Sequence, residues 1–281
     1  MSRVAIVKGM VPQEITVEAM EMVEAGEVII TDRPVLVKPN YINASPPSTG
    51  ITTDCRVIEG VVRFLKQQGV EGVIIGEGSG HSDTFKAFKV AGVDSVAERW
   101  GVTLMDLNRD EVVEVSPANP LALKKVKVSR TALNSTIVSV PKLKLHRMTG
   151  VTLSIKNMMG AMKPKGSMHT NLSRNIADLA SILRPRVAVV DGIIAGEGHE
   201  TSNDPVEMNL VIAGTDPVAV DAVGAAVMGV PPDSVKHLRY AMQRGLGNYD
   251  LDKIEVVGES IKKVKRQFRN SLSSRILSLL A

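Results

Sequence analysis

The chain has 281 residues, 44% of them hydrophobic and 23% charged, with a formal net charge of +4. That length and apolar content suffice for a large buried core and exclude general disorder; the single cysteine, Cys55, excludes a disulfide framework and any thiolate cluster for zinc or iron–sulfur within one chain. One Trp, three Tyr and four Phe leave little material for base stacking, so no nucleic-acid partner is expected.

Short Val- and Ile-rich runs alternate with longer amphipathic segments, the pattern of strands buried on both faces and joined by crossover helices. The fold class expected is therefore α/β, with a mostly parallel, doubly wound sheet. In chain order the pattern predicts strand 4–7, helix 13–24, strand 35–38, helix 54–68, strand 72–75, helix 84–90 and strand 103–105. A more polar alternating stretch over 111–127 reads as an antiparallel insertion. Strand 136–140, helix 172–183, strands 187–190 and 210–213, helices 217–228 and 234–244 and strand 254–257 follow. Asp54 ahead of an apolar-periodic run, and Asp216 followed by Pro217, are helix start signals.

The body is assigned to 1–258, as two lobes of roughly 1–134 and 135–258 with a crevice between them. The remaining 259–281 places Ile261, Val264, Phe268, Leu272, Ile276, Leu279 and Leu280 at helical spacing among basic residues. It reads as a basic amphipathic helix that docks on the body or on a second subunit, giving a homodimer, with an anionic membrane surface as the alternative. No apolar run is long enough to span a bilayer and 1–10 lacks a signal-peptide core, so no transmembrane segment and a cytoplasmic location are expected.

Charge is unevenly spread. The tail holds six Lys or Arg and one Glu, leaving 28 basic against 29 acidic residues before it. Within that neutral body, 115–177 contains no Asp or Glu, yet it holds Lys142, Lys144, Lys156 and Lys165 among its cations. Such a stretch looks built around an anion. Lys156 and Asn157 sit between two turn-rich segments and are candidates for a carboxylate or phosphate.

A weak internal echo adds a second clue. VLVKPN precedes a helix and then IIGEGSGH; later IVSVPKLKLH precedes a helix and then IIAGEGHE. Each half thus offers a lysine at a strand end, Lys38 or Lys142, then a Gly-Glu-Gly loop. Open α/β sheets bind ligands beyond the carboxyl ends of their strands, which would bring these pieces to one crevice. Gly76 and Gly78 allow close ligand approach, and Lys38, Asn40, Lys142 and Lys144 are expected to bind substrate alongside Lys156 and Asn157. Glu77, His81 and His146 are the catalytic candidates, because imidazole and carboxyl groups exchange protons near neutral pH. Asp191 and Glu197 supply oxygen ligands for a divalent metal.

VLVKPN, TTDCRVIEG, GVIIGEGSG, VPKLKLH, TLSIKNMMG and VVDGIIAGEG together resemble the domain of unknown function 362 family, over about 4–229. Members of that family generally lack a defined reaction, and some carry an adjoining ferredoxin-type cluster domain whose cysteines this chain does not have. The order His81, His146, Lys156 is more distantly similar to the nickel-pincer lactate racemase family. That likeness implies paired acid and base histidines at His81 and His146, Lys156 near a nickel-containing cofactor, and His169 as a metal ligand. The function expected is acid/base proton transfer on a small anionic substrate, as in racemisation, isomerisation or elimination. A noncatalytic binding protein for an anionic metabolite or cofactor is the alternative.

Overall fold

The computed structural model describes residues 1–29 and 32–271. In chain order its elements are β1 (Ser2–Lys8), α1 (Pro12–Met22), β2 (Val35–Lys38), α2 (Cys55–Gln67), β3 (Val73–Glu77), α3 (Thr84–Ala91), α4 (Val93–Trp100), β4 (Thr103–Asp106), β5 (Val112–Val115), β6 (Val126–Ser129), α5 (Arg130–Leu133) and β7 (Thr136–Ser139). There follow β8 (Lys142–His146), β9 (Gly150–Thr152), α6 (Ser154–Asn157), β10 (Met162–Lys163), α7 (Leu172–Ile182), β11 (Val187–Gly196), β12 (Pro205–Gly214), α8 (Pro217–Val227), α9 (Lys236–Gln243), β13 (Ile254–Gly258) and α10 (Ile261–Val264).

The central sheet runs β13-β1-β12-β11-β7-β2-β3-β4, with β8 and β9 attached beside β11. It is mainly parallel; β12 runs antiparallel to both β1 and β11. Two apolar layers cover its faces, and alternation along each strand feeds both. Val4, Ile6 and Leu36 belong to one layer, Ala5, Val7, Val35 and Val37 to the other. As expected, Asp54 and Asp216 cap α2 and α8 by accepting backbone N–H bonds in the first turn.

Topology fixes where a ligand would go. From β2 the chain moves outward to β3 and then β4, whereas β7, the other neighbour of β2, is followed on its far side by β11. Strand order therefore reverses between β2 and β7, leaving a crevice at their carboxyl ends. The antiparallel insertion is a separate small sheet, β10-β6-β5, in which β5 pairs with β6.

Three segments differ from the sequence reading. The stretch after Pro141, to which the pattern assigned no element, is strand. Lys142, Lys144 and His146 alternate along β8 with Leu143 and Leu145, which enter an apolar layer. The helix predicted at 84–90 is followed by a second helix, because Gly92 adopts a left-handed φ of 81° that ends α3 and starts α4. The strands at 187–190 and 210–213 extend into a ten-residue antiparallel pair, so Asp191 lies inside β11 instead of on a loop.

The tail differs too. Among its described residues only Ile261–Val264 is helical, and the chain then runs irregularly to Ser271. Its backbone finds partners elsewhere: Arg266 and Phe268 donate N–H bonds to the carbonyls of Val227 and Met228, and Arg269 accepts one from Gly198. Bonds of that kind replace the helical ladder. Val264 and Phe268 are buried against the body, the first of the two dockings that the sequence reading offered, so these two side chains are not available to a second subunit. Leu272, Ile276, Leu279 and Leu280 lie outside the described residues. Among the described residues no helix is long and apolar enough to cross a membrane.

Candidate functional site

A cavity of about 390 Å³ opens at the carboxyl ends of β2 and β3. Lys38, Asn40, Glu77, Gly78, His81 and His146 line it, together with Lys156, Asn157, Lys165, His169 and Glu200. Residues more than a hundred positions apart in sequence thus share one concave surface.

Its floor is a closed polar network. The Lys38 ammonium donates to Glu77 Oε1 at 2.8 Å, to the Pro39 carbonyl at 3.0 Å and to Asn157 Oδ1 at 3.1 Å. Glu77 also accepts the backbone N–H of Gly78 at 2.8 Å and of Tyr41 at 3.0 Å. Asn157 spans the crevice, donating to the Lys38 carbonyl at 2.9 Å and to Ser139 Oγ at 3.2 Å, while Asn40 donates to its Oδ1. Burial pulls the Lys38 amine below the usual lysine range and the neighbouring Glu77 works against that shift. Gly160 closes over the pair. A Cβ there would meet Glu77 Oε1 and Lys38 Nζ well inside contact distance, so a larger residue would force this buried pair to shift.

The wall is less satisfied. Lys156 belongs to the single turn α6, which is pinned at both ends. Asp221 on α8 accepts the N–H groups of Ser154 and Ile155 at 2.7 and 3.1 Å, and Asn157 holds the other end. Burial raises the Asp221 carboxyl to about 7 against those two bonds. Lys156 itself lines the cavity and makes no hydrogen bond or ion pair among the described residues. Burial lowers its amine to about 8, with Glu200 opposing.

His146 has one nitrogen already engaged. Its Nδ1 accepts the backbone N–H of Met148 at 3.1 Å and, more weakly, of Thr149 at 3.4 Å, which places the ring proton on Nε2. Burial, then Lys156 and Lys144, hold this imidazole well below the usual histidine range, so it stays neutral. The Nε2 lies 4.0 Å from Glu200 Oε2, too far for a hydrogen bond. Glu200 is held by Arg147, whose Nε is 2.7 Å from Oε1 and whose N–H is 3.1 Å from Oε2. Burial pushes the Glu200 carboxyl up, yet these Arg147 contacts win and keep it low. Lys165 donates to Asn108 Oδ1, and His81 and His169 stand exposed at the rim.

The domain of unknown function (DUF362) family matches residues 35–226 of this chain, a span that contains every cavity residue described above. The chain belongs to that family. The DUF362 chain is also similar to the thylakoid-associated protein sll1697 of Synechocystis sp. (strain ATCC 27184 / PCC 6803 / Kazusa), 25% identical over 229 residues that cover 76% of this chain and 68% of that protein. No solved structure matches. The likeness to the lactate racemase family gains no support from these comparisons.

Several expected site residues of the DUF362 chain lie elsewhere. Lys142 is fully buried under the sheet edge, 2.6 Å from Asp191 Oδ2, and Asp191 also accepts N–H bonds from Asp54 and Ile193. Lys144 is buried behind the wall, where it donates to the carbonyls of Ile51 and Glu200, and burial followed by the Lys156 charge lowers it to about 7. Gly76 packs against Leu36 and Leu107 rather than facing the cavity. The proposed metal set of Asp191, Glu197 and His169 is not assembled. Glu197 is bound by Arg269 from the tail, Asp191 by Lys142, and His169 stands apart at the rim. Among the described residues no group of three or more His, Cys, Asp or Glu is placed to hold a metal ion.

The sequence reading also left residues unassigned. Lys165 lies within the acid-free stretch, and Glu200 ends the IIAGEGHE motif, without a role at the cavity. His237 on α9 carried no signal, being a polar residue inside an amphipathic helix. It is fully buried with both ring nitrogens unpartnered, and burial followed by the Lys156 charge lowers it to about 3.

Proposed function

We propose that this cavity binds a small anionic molecule and moves a proton on it. The observation that carries the reading is the charge balance of the lining. Glu77 is neutralised by Lys38 and Glu200 by Arg147, leaving Lys156 and Lys165 as uncompensated cations with His81, His146 and His169 around them. A carboxylate or phosphate supplies the missing counter-charge in a space that partly excludes water. Lys156 and His81 are the proton-transfer groups of this reading. His146 donates from Nε2–H instead of accepting, because its other nitrogen is taken.

The test is isothermal titration calorimetry with inorganic phosphate and with malonate, in native protein and in Lys156→Ala. Binding that weakens about tenfold or more in the variant supports the reading. Equal affinity in both would refute it. Exchange of substrate C–H for deuterium in D₂O, followed by NMR over a panel of 2-hydroxy and 2-amino acids, tests the proton step.

One observation favours binding without chemistry. Lys38, Glu77 and Asn157 already satisfy one another, so the floor holds shape and offers little to a reacting atom. Tight anion binding with no exchange on any member of the panel selects that reading. The anionic ligand and a cytoplasmic setting remain parts of the same proposal.

A further inference from the structure

We infer that Lys156 is a nucleophilic amine that forms an imine with a carbonyl compound bearing a carboxylate, such as a 2-oxo acid. This rests on the anion-binding reading above and names the substrate class for it. The argument is one of elimination among the lysines at the cavity. Lys38 Nζ is engaged by three acceptors. Lys144 Nζ is engaged by two carbonyls and lies outside the lining. Lys165 Nζ donates to the Asn108 amide oxygen. Lys156 alone combines an open position on the cavity with an amine free of hydrogen bonds and ion pairs among the described residues.

An imine requires a neutral amine, and the surroundings provide one. Lys156 is desolvated and belongs to a short turn whose backbone is fixed at both ends, so its attachment point on the cavity wall is set. Its amine is lowered to about 8, so close to a tenth of the molecules carry free base near pH 7, against far fewer for an exposed lysine. Lys165 and the His146 Nε2–H remain to receive the carboxylate.

The step balances without a redox partner. The Lys156 nitrogen adds to the carbonyl carbon, forming a C–N bond while the carbonyl oxygen becomes a hydroxyl. That oxygen then leaves as water, taking one proton from the amine and one from solvent. What remains is a protonated C=N bond whose positive charge replaces that of the original ammonium beside Glu200. No net charge is buried by the reaction.

Reductive trapping tests it. The full chain is incubated with pyruvate and sodium cyanoborohydride near neutral pH, then digested and mapped by mass spectrometry. Label at Lys156 about tenfold or more above that at the exposed Lys86 and Lys89 is expected. The label should vanish from this peptide in Lys156→Arg without moving to a neighbouring lysine, with thermal melting confirming that the variant is folded. Propionaldehyde, which has no carboxylate, should label Lys156 less than pyruvate does. Uniform labelling across surface lysines, or none at Lys156, overturns the inference. If phosphate binds to native protein by calorimetry while Lys156 stays unlabelled, the imine fails and the anion site stands. If neither occurs, both fail.

Discussion

Among the described residues two lysine–carboxylate pairs are buried, one in each half of the internal echo, and they do different work. Lys38 and Glu77 meet at 2.8 Å on the floor of the cavity, where Asn157, Tyr41 and Gly78 complete their hydrogen bonds. Lys142 and Asp191 meet at 2.6 Å outside the lining of that cavity, and Asp191 instead tethers the N-terminus of α2 through the Asp54 N–H. Lys38 and Glu77 end β2 and β3, whereas Lys142 opens β8 and Asp191 lies inside β11. What separates them is the covering: bare Gly160 and the open α6 turn over the first, the loop leading into α2 over the second. A buried ion pair is therefore not by itself a site here, and becomes part of one only where backbone leaves room above it.

The largest effect tests whether both pairs are structural. Removing one partner, as in Lys142→Met or Asp191→Leu, strands an uncompensated buried charge and should cost about 3–5 kcal/mol by urea denaturation. Replacing both partners should return much of that loss, since a buried pair often breaks even against well-packed apolar side chains. The comparison sharpens with Lys38→Met/Glu77→Leu. Stability should recover there as well, yet phosphate affinity should not, because Tyr41, Gly78 and Asn157 lose the partners that set the floor. Recovery of both would erase the distinction drawn between the two pairs.

The next effect concerns pH. His237 has a folded-state value near 3 against an ordinary value of 6.5, so the fold favours its neutral form. Its contribution to stability is complete above about 6.5 and is lost as pH falls towards 3, reaching roughly 4 kcal/mol across that window. His146 shifts in the same direction. Denaturation curves at pH 7 and pH 5 should show this loss in native protein and a smaller one in His237→Leu. An unchanged pH slope in the variant would remove His237 from the account.

Gly160→Ala comes third. Its Cβ collides with both members of the Lys38–Glu77 pair, and forcing them apart should cost about 1–3 kcal/mol and weaken phosphate binding. Alanine at Gly166, which meets nothing within 4 Å, is the control and should do neither. The smallest effect is expected at Arg269→Ala. Its guanidinium is exposed, so its bond to Glu197 adds little, and the melting temperature should barely move.

Much of the cavity was readable before the structure. An acid-free stretch rich in lysine, together with Gly-Glu-Gly loops at strand ends, pointed to Lys38, Glu77, His81, His146, Lys156 and Asn157, and these converge. The echo misled at Glu197, because motif matching aligned it with Glu77 while the actual counterpart in space is Asp191. The alternation Lys-Leu-Lys-Leu-His was itself a strand signal, and reading it would have put Lys142, Lys144 and His146 on one face of β8. Among the described residues the tail leaves the helix after Val264, where the Arg266 and Phe268 amides bond to the carbonyls of Val227 and Met228, a tertiary choice that spacing does not encode.

Sequence by itself determined the α/β class, the order of most elements and the sign of charge that the centre of the chain needs, because hydrophobic period and composition are local properties. Tertiary structure alone decided which lysine is free. Lys38, Lys142, Lys144, Lys156 and Lys165 are the same residue type in similar polar settings, and only their neighbours in space distinguish them. Four of the five amines meet carbonyl, amide or carboxylate oxygens brought in from other segments. Lys156 is left facing the cavity, since desolvation and pairing depend on how distant parts of the chain pack together.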